Sequence, residues 1–544
     1  MNLAIYFFLA IAVLFAGWRY WRRLNYFLHV FQLEGYKLNE FTAWLTDNQK
    51  DLMLRLSHKI GIGVLLVGIA GFAAGLDTAS ALLMVLAWPV AFASSRRYRS
   101  DQVKKPIRYT NRMKRLLAAS LLLGIIPLLL FLAFGAGREL LLIPHILAGL
   151  LIADLGAPQW VLTAAELLEP RENRIQEGFK QDAREKILSR PDLKIIAMTG
   201  SYGKTSVKNA IARILSHRYN VLATPGSFNT PMGLCLVINN QLKPEHQILV
   251  LEMGARYLGD IQELCDLVTP SIAIVTNVGV AHLETMGSQD NIELEKGTIV
   301  ENVEPGGLAI LNADDPRVNG MSARTHVANI FRVGIENTDA DLVASDISYS
   351  REGASFVVTD RSDGTRQTFR SKLLGRHNIM NLLLAIAVGR AMDLRLRQMA
   401  HAVAQMEAVD HRLKLRDEGL ITVLDDAFNS NPIGARNAVE ILGQFRDGKR
   451  IIITPGMVEL GDIQDEENEA FGRSIAENAD VVMLIGPKQT APIRRGLVDA
   501  GFPEDAIHTF NSLAEAQRYL GEIADKGDTV LYENDLPDHY DEAA

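Results

Sequence analysis

"MTGSYGKTSVKNAI", residues 198–211, decides the reading of this chain. An apolar run, "KIIAMTG" (194–200), enters it, and an amphipathic stretch, 206–218, follows it. A buried strand that breaks at glycines and restarts as a helix exposes backbone N–H groups at the helix amino end, where an anion is favoured. Gly200 and Gly203 let the backbone turn and approach a phosphate closely. Two residues separate these glycines, whereas the common P-loop has four. Within Gly200, Ser201, Tyr202, Gly203, Lys204, Thr205 and Ser206, Lys204 is placed to neutralise β and γ phosphates. Thr205 is placed to offer a hydroxyl to Mg2+.

Outward from the loop, short apolar runs alternate with helical patterns. "QILVLEMG" (247–254), "SIAIVTNVG" (271–279) and "GLAILNADD" (307–315) read as buried strands, with amphipathic stretches such as 258–268 between them. That alternation predicts a parallel sheet flanked by helices. From 341 to 373 the period becomes two, which predicts a small antiparallel patch, and "HNIMNLLLAIAVGRAM" (377–392) reads as a helix. After about 410 a second alternation, "GLITVLDDAF", "RIIITPGM", "ADVVMLIG" and "DTVLYEND", reads as a smaller Rossmann-like domain. The fold class expected is α/β, with a central P-loop ATPase-like domain (191–408) and a C-terminal Rossmann-like domain (409–544).

The chain has 544 residues, too many for one core. Its net charge of −8 argues against a general nucleic-acid binder. Two cysteines, Cys235 and Cys265, cannot form a disulfide framework or a four-cysteine zinc site, and both lie in apolar runs as buried thiols. The apolar surplus lies before residue 160. "NLAIYFFLAIAVLFAGW" (2–18) precedes Arg19, Arg22 and Arg23, the reverse of a cleaved signal peptide, and reads as an uncleaved anchor. Further runs near 60–76, 79–94, 116–136 and 140–157 predict about five transmembrane helices in residues 1–157. The loop 96–115, with nine Lys or Arg and one Asp, is then cytoplasmic, and so is everything after about 158. The polar stretch 158–190 reads as a helical linker.

The shortened loop "GSYGKTSVK" resembles that of the Mur ligase family, ATP-dependent amide ligases of cell-wall precursor synthesis. The resemblance continues in order through "SFNTPMG" (227–233), "LEMGARYLGDI" (251–261), "TNVGVAHLETMGS" (276–288), "EKGTI" (295–299), "LNADDPRV" (311–318), "GRHNIMN" (375–381), "HRL" (411–413), "DDAFNSNP" (425–432) and "PGMVELG" (455–461). The blocks look most like the branch that adds D-alanyl-D-alanine to UDP-N-acetylmuramoyl-tripeptide. A ligase of this kind moves the γ-phosphoryl of ATP onto a carboxylate, and an amine then attacks the acyl phosphate.

Glu252 ends a strand beside the loop, where a carboxylate is a natural Mg2+ ligand. The resemblance implies His282 as ligand of a second Mg2+, and Lys296 as a lysine carbamylated to hold it. It implies that Asn378 and Asn381 read adenine and that Arg412 reaches ATP phosphate or ribose. It places Asp425, Asp426, Asn429 and Asn431 at the nucleotide, and leaves Asn229 and Asn277 to orient the loop or substrate. ATP and Mg2+ are the cofactors implied, and the catalytic set is Lys204, Lys296, His282 and Glu252.

Two departures bear on the substrates. The membrane segment stands where the branch has a soluble uridine-nucleotide domain, so the muramoyl-peptide acceptor is nucleotide-linked or lipid-linked. The ending "TVLYENDLPDHYDEAA" lacks the usual Lys-Gly-Ser, so the amine is an amino acid or a dipeptide. The expected location is the bacterial inner membrane, multi-pass, with cell-wall enzymes as partners. Two other readings stand beside this one: a ligase for another envelope polymer such as poly-γ-glutamate, and a non-catalytic ATP-binding scaffold.

Overall fold

The computed structural model describes residues 2–48, 55–93, 106–135, 140–325, 329–350, 353–407, 413–427, 432–458 and 460–534. It comprises two compact units, Met1–Glu177 and Gly178–Ala544. The division falls inside the expected linker, within one continuous helix, Ala157–Leu188.

The first unit is helical. Among its described residues three helices, Leu3–Leu33, Leu56–Ala73 and Asn111–Gly135, are long and apolar enough to cross a membrane. The bent pair Leu142–Leu155 and Ala157–Leu188 would raise the number to four. Among the described residues the candidates thus number three or four, beside the five expected. In the described part of the 79–94 run, Asp77–Ala93 is a shorter apolar helix with Pro89 inside it. Inside this unit Arg19 Nε donates to Asp154 Oδ2 at 2.9 Å, and His58 Nε2 lies 2.7 Å from the same oxygen.

The second unit holds two sheets. The first contains β1 (Lys194–Thr199), β2 (Val221–Ala223), β3 (Ile248–Glu252), β4 (Ile272–Val275), β5 (Leu308–Asn312), β6 (Asn329–Gly334), β7 (Leu342–Ser350), β8 (Gly353–Asp360) and β9 (Arg366–Ser371). Its order is β2-β3-β1-β4-β5-β6-β7-β8-β9, parallel from β2 to β7 and antiparallel over β7-β8-β9. The expected antiparallel patch is thus an extension of the parallel sheet rather than a separate piece, because β7 hydrogen-bonds to β6.

Both faces of this sheet are covered, which explains why its strands read as unbroken apolar runs. Ile196, Met198, Val250 and Ile274 face one core with helices Lys204–Leu215 and Arg376–Ala391. Their strand neighbours Ile195, Ala197, Leu249, Leu251 and Val275 face the opposite core with helices Pro231–Gln241, Asp260–Leu267 and Gln289–Glu301.

The second sheet contains β10 (Lys414–Asp417), β11 (Thr422–Asp426), β12 (Arg450–Thr454), β13 (Val481–Ile485), β14 (Ile507–Phe510) and β15 (Thr529–Glu533). Its order is β10-β11-β15-β12-β13-β14, parallel except for the β10–β11 pair. In the first sheet β1 is flanked by β3 and β4, so the strand order reverses at its carboxyl end. In open α/β sheets a crevice forms at such a point, and ligands bind there.

Candidate active site

The loop leaves the carboxyl end of β1 and is held by the segment after β4. Thr276 Oγ1 donates to Tyr202 O at 2.6 Å. Asn277 Oδ1 accepts from Tyr202 N at 2.9 Å, and its backbone carbonyl accepts from Ser201 N at 3.0 Å. Asn277 therefore orients the loop. Ser201 Oγ accepts from Gly279 N at 2.9 Å. Both loop glycines are required. Gly203 has φ +82°, and a Cβ there would lie 2.4 Å from Asn381 Oδ1. Gly200 has φ +148°, and a Cβ there would lie 1.9 Å from Thr276 Oγ1. Lys204 Nζ folds back to donate to Gly200 O at 2.6 Å.

Glu252, the last residue of β3, is buried beside the loop helix. Thr205 Oγ1 donates to its Oε2 at 2.9 Å, and Asn229 Nδ2 donates to its Oε1 at 3.2 Å. The Thr205 proton is thereby directed at the carboxylate, which leaves oxygen lone pairs of the hydroxyl for a cation. Among the described residues no group of three or more His, Cys, Asp and Glu could hold a metal alone. One carboxylate with one hydroxyl fits Mg2+, which keeps waters and takes its remaining oxygens from substrate phosphate.

Two lysines and a histidine, Lys204, Lys296 and His282, couple electrostatically at this loop. Lys296, on helix Gln289–Glu301, is buried. Desolvation, then repulsion from Lys204, pushes its amine down to about 7. His282 reaches the cleft from a left-handed backbone, φ +64°. Desolvation, then Lys296, Lys204 and Arg256, push its imidazole down to about 4. Repulsion between Lys204 and Lys296 is what an arriving polyanion would relieve. Glu295, the neighbour of Lys296, turns away to accept from Gly259 N at 2.7 Å and Ile261 N at 2.6 Å. Those bonds satisfy the amino end of helix Asp260–Leu267.

A cleft of about 690 Å3 opens over these groups, lined by Lys204, Thr205, Glu252 and His282 and, from the second sheet, by Asp426 and Glu533. Asp426 and Glu533 end the paired strands β11 and β15, so both sheets present carboxyl ends to one cavity. Asp425, on the other face of β11, instead pairs with Arg416 at 3.1 Å. A smaller cavity of about 370 Å3 adjoins the cleft and shares Ser206, Asn378 and Asn381 with it, adding apolar Leu373, Leu382 and Met406. Asn378 Nδ2 donates to Leu374 O at 2.7 Å, which leaves its carbonyl oxygen for another donor. Arg412, Asn429 and Asn431 lie outside the described residues.

Three contributors escaped the sequence reading. Glu533 sits in a terminal strand with no motif to mark it. Glu295 adjoins Lys296 but serves the fold. Lys208 pairs with Glu252 at 3.1 Å, and its signal was a charge on the helix face otherwise occupied by Val207 and Ile211.

A shortened phosphate loop and a second α/β layer meeting at one cleft define a nucleotide-dependent ligase. The Mur ligase middle domain model matches residues 198–389, and the Mur ligase, glutamate ligase domain model matches 411–532. The UDP-N-acetylmuramoyl-tripeptide–D-alanyl-D-alanine ligase of Bacillus subtilis is 31% identical over 345 residues, 62% of this chain and 72% of that protein. The ligase of the same name from Escherichia coli is 31% identical over 306 residues, 55% of this chain and 66% of that one. Among solved structures, MurF from Acinetobacter baumannii superposes with a TM-score of 0.60 at 26% identity, covering 66% of this chain and 77% of that one. The MurF ligase of Thermotoga maritima in complex with ADP gives 0.59 at 27%, covering 66% and 80%. The chain belongs to the Mur ligase family and is an ATP-dependent peptide ligase.

The same comparisons correct the expected location. The relatives and structures matched are muramoyl-peptide ligases rather than multi-pass membrane proteins, and the apolar helices are candidate spans by length and composition only. A multi-pass inner-membrane placement is therefore not upheld. Nor are the membrane and cell-wall enzymes supported as partners.

Proposed function

We propose that this chain joins D-alanyl-D-alanine to a UDP-N-acetylmuramoyl-tripeptide at the cleft between its two sheets, which act as a central domain (191–408) and a C-terminal domain (409–544). One observation carries the reading: Thr205 and Glu252 meet at 2.9 Å in a cleft that Lys204 and His282 also line, and the buried Lys296 amine is coupled to both of those residues. That arrangement suits a triphosphate with its metal. The names of the relatives supply the substrates.

The γ-phosphoryl of ATP passes to the tripeptide carboxylate, and ADP departs. The D-alanyl-D-alanine amine attacks the acyl carbon, the tetrahedral intermediate expels phosphate, and the amine loses its proton. The loop N–H groups and Lys204 bind phosphate and hold it in line with the carboxylate. Mg2+, held by Thr205 and Glu252, would supply charge neutralisation on the transferring phosphoryl. Asn378 and Asn381, beside the smaller cavity, receive adenine. Asp426 and Glu533 line the same cleft, where a carboxylate can draw in the dipeptide ammonium and take its proton before the neutral amine attacks.

Lys296 with a lowered amine value is well suited to carbamylation, since only the neutral amine adds CO2. The amine nitrogen bonds to the CO2 carbon and a proton leaves, which turns a buried cation into an anion. That carbamate, with His282, would hold a second Mg2+.

Phosphate release from ATP, measured with UDP-muramoyl-tripeptide and D-alanyl-D-alanine supplied singly and together, tests the reading. Release that requires both supports it. Release independent of the amine would favour an ATPase and defeat it.

A further inference from the structure

Lys208 lies one helical turn beyond Lys204 and points into the core rather than at the cleft; its side chain is 1% exposed. Its Nζ pairs with Glu252 Oε2 at 3.1 Å and also donates to the Gly226 carbonyl. Three donors already hold the Glu252 carboxylate: Oε2 takes Thr205 and Lys208, and Oε1 takes Asn229. Gly226 and Asn229 belong to one loop, residues 224–230, which starts where β2 ends and is tied to Glu252 again through Thr224 Oγ1, the acceptor for Glu252 N at 3.4 Å. Gly254 N donates to Asn229 O at 2.9 Å. Two charges are buried here although a buried ion pair gains little net stability over apolar packing.

We propose that Lys208 is a positioning residue that occupies Glu252 in place of a divalent cation until nucleotide arrives, and that it couples the 224–230 loop to that event. A bare divalent ion approaching Glu252 meets an ammonium already on the carboxylate. A triphosphate brings enough negative charge to offset that repulsion. Metal capture is then conditional on ATP, and the same contact carries the change to the loop through Gly226 and Asn229. This inference rests on the reading of Glu252 as a metal-side carboxylate.

The test titrates Mn2+ into the purified full-length chain, followed by electron paramagnetic resonance, with and without a non-hydrolysable ATP analogue. Lys208→Met should bind Mn2+ about tenfold more tightly than wild type when nucleotide is absent, and Lys208→Met/Glu252→Gln should lose that gain. A Lys208→Met protein that melts like wild type yet binds Mn2+ no more tightly overturns the proposal. A purely structural lysine would lower the melting temperature without tightening metal binding.

Hydrogen exchange on the unaltered protein gives a second measurement. Amides of 224–230 should be slowed by Mn2+ with the analogue and unchanged by Mn2+ alone. Protection by Mn2+ alone overturns the proposal. If wild type showed no Mn2+ dependence of analogue binding at all, the underlying assignment of Glu252 would fall instead.

Discussion

Thr205 donates its hydroxyl proton to Glu252 Oε2 at 2.9 Å, joining the amino end of the loop helix to the carboxyl end of β3. The two residues are 47 positions apart, and strand order brings them together: β3 lies directly beside β1. The bond orients the hydroxyl so that its lone pairs stay available to a cation. Thr205→Val keeps the shape and removes the hydroxyl. It should lower kcat about 100-fold, as loss of one preorganised electrostatic contact does, with little change in melting temperature. Steady-state phosphate release and a thermal melt on the same sample check both halves.

Gly203→Ala should abolish nucleotide binding while the protein still folds. The new methyl would lie 2.4 Å from Asn381 Oδ1 on a backbone with φ +82°, so the loop and Asn381 must separate. Wild type should melt several degrees higher with saturating ATP, as any ligand that binds only the native state requires. The variant should show no such shift; a retained shift would remove the loop from nucleotide binding.

Lys296 predicts a distinctive pH dependence of stability. Its folded amine is lowered from 10.5 to about 7. Between those values the unfolded chain binds the proton and the native chain does not, so stability rises with pH across that window. Below about 7 the native chain must carry the buried charge, and the cost is greatest there. Lys296→Met should flatten the rise between about pH 7 and 10.5. Urea unfolding at several pH values, on carbonate-free samples so that the amine stays unmodified, provides the comparison.

Under CO2 the same residue should matter for catalysis. Lys296→Ala should lower activity at least 100-fold, in keeping with loss of a charged group at a phosphoryl-transfer site. Added acetate or formate should restore part of it by supplying the missing carboxylate. Full activity in the alanine variant would defeat the carbamate role.

His282 should contribute in the acid range. Its imidazole is lowered from 6.5 to about 4, so stability rises as pH increases from about 4 to 6.5. His282→Gln should weaken that rise, read from melting temperatures at pH 4, 5 and 6.5.

Much of the fold was legible because it rests on local patterns. The buried strands 194–199, 248–252, 272–275 and 308–312 lie within the apolar runs that announced them, since a parallel strand covered on both faces admits few polar residues. Loop residues Gly200, Gly203 and Thr205 were legible because positive φ and a hydroxyl at the start of the loop helix demand particular residue types. β6, β10 and β14 were not: β10 and β14 are the edge strands of the second sheet, β6 is only partly buried although it pairs on both sides, and all three carry weak apolar patterns.

The linear order of residues by itself determined that this chain builds an α/β nucleotide loop of the Mur ligase kind, because that loop is made by consecutive residues under backbone and charge constraints. Tertiary structure decided which of the candidate carboxylates line the cleft, Asp426 rather than its neighbour Asp425, and added Glu533. Asp426 and Glu533 reach the cleft because β11 and β15 pair in register, although more than a hundred positions separate them in the chain. Lys208 reaches Glu252 because β3 is inserted next to β1. Contacts of that kind depend on strand order, a long-range property that no short stretch of sequence encodes.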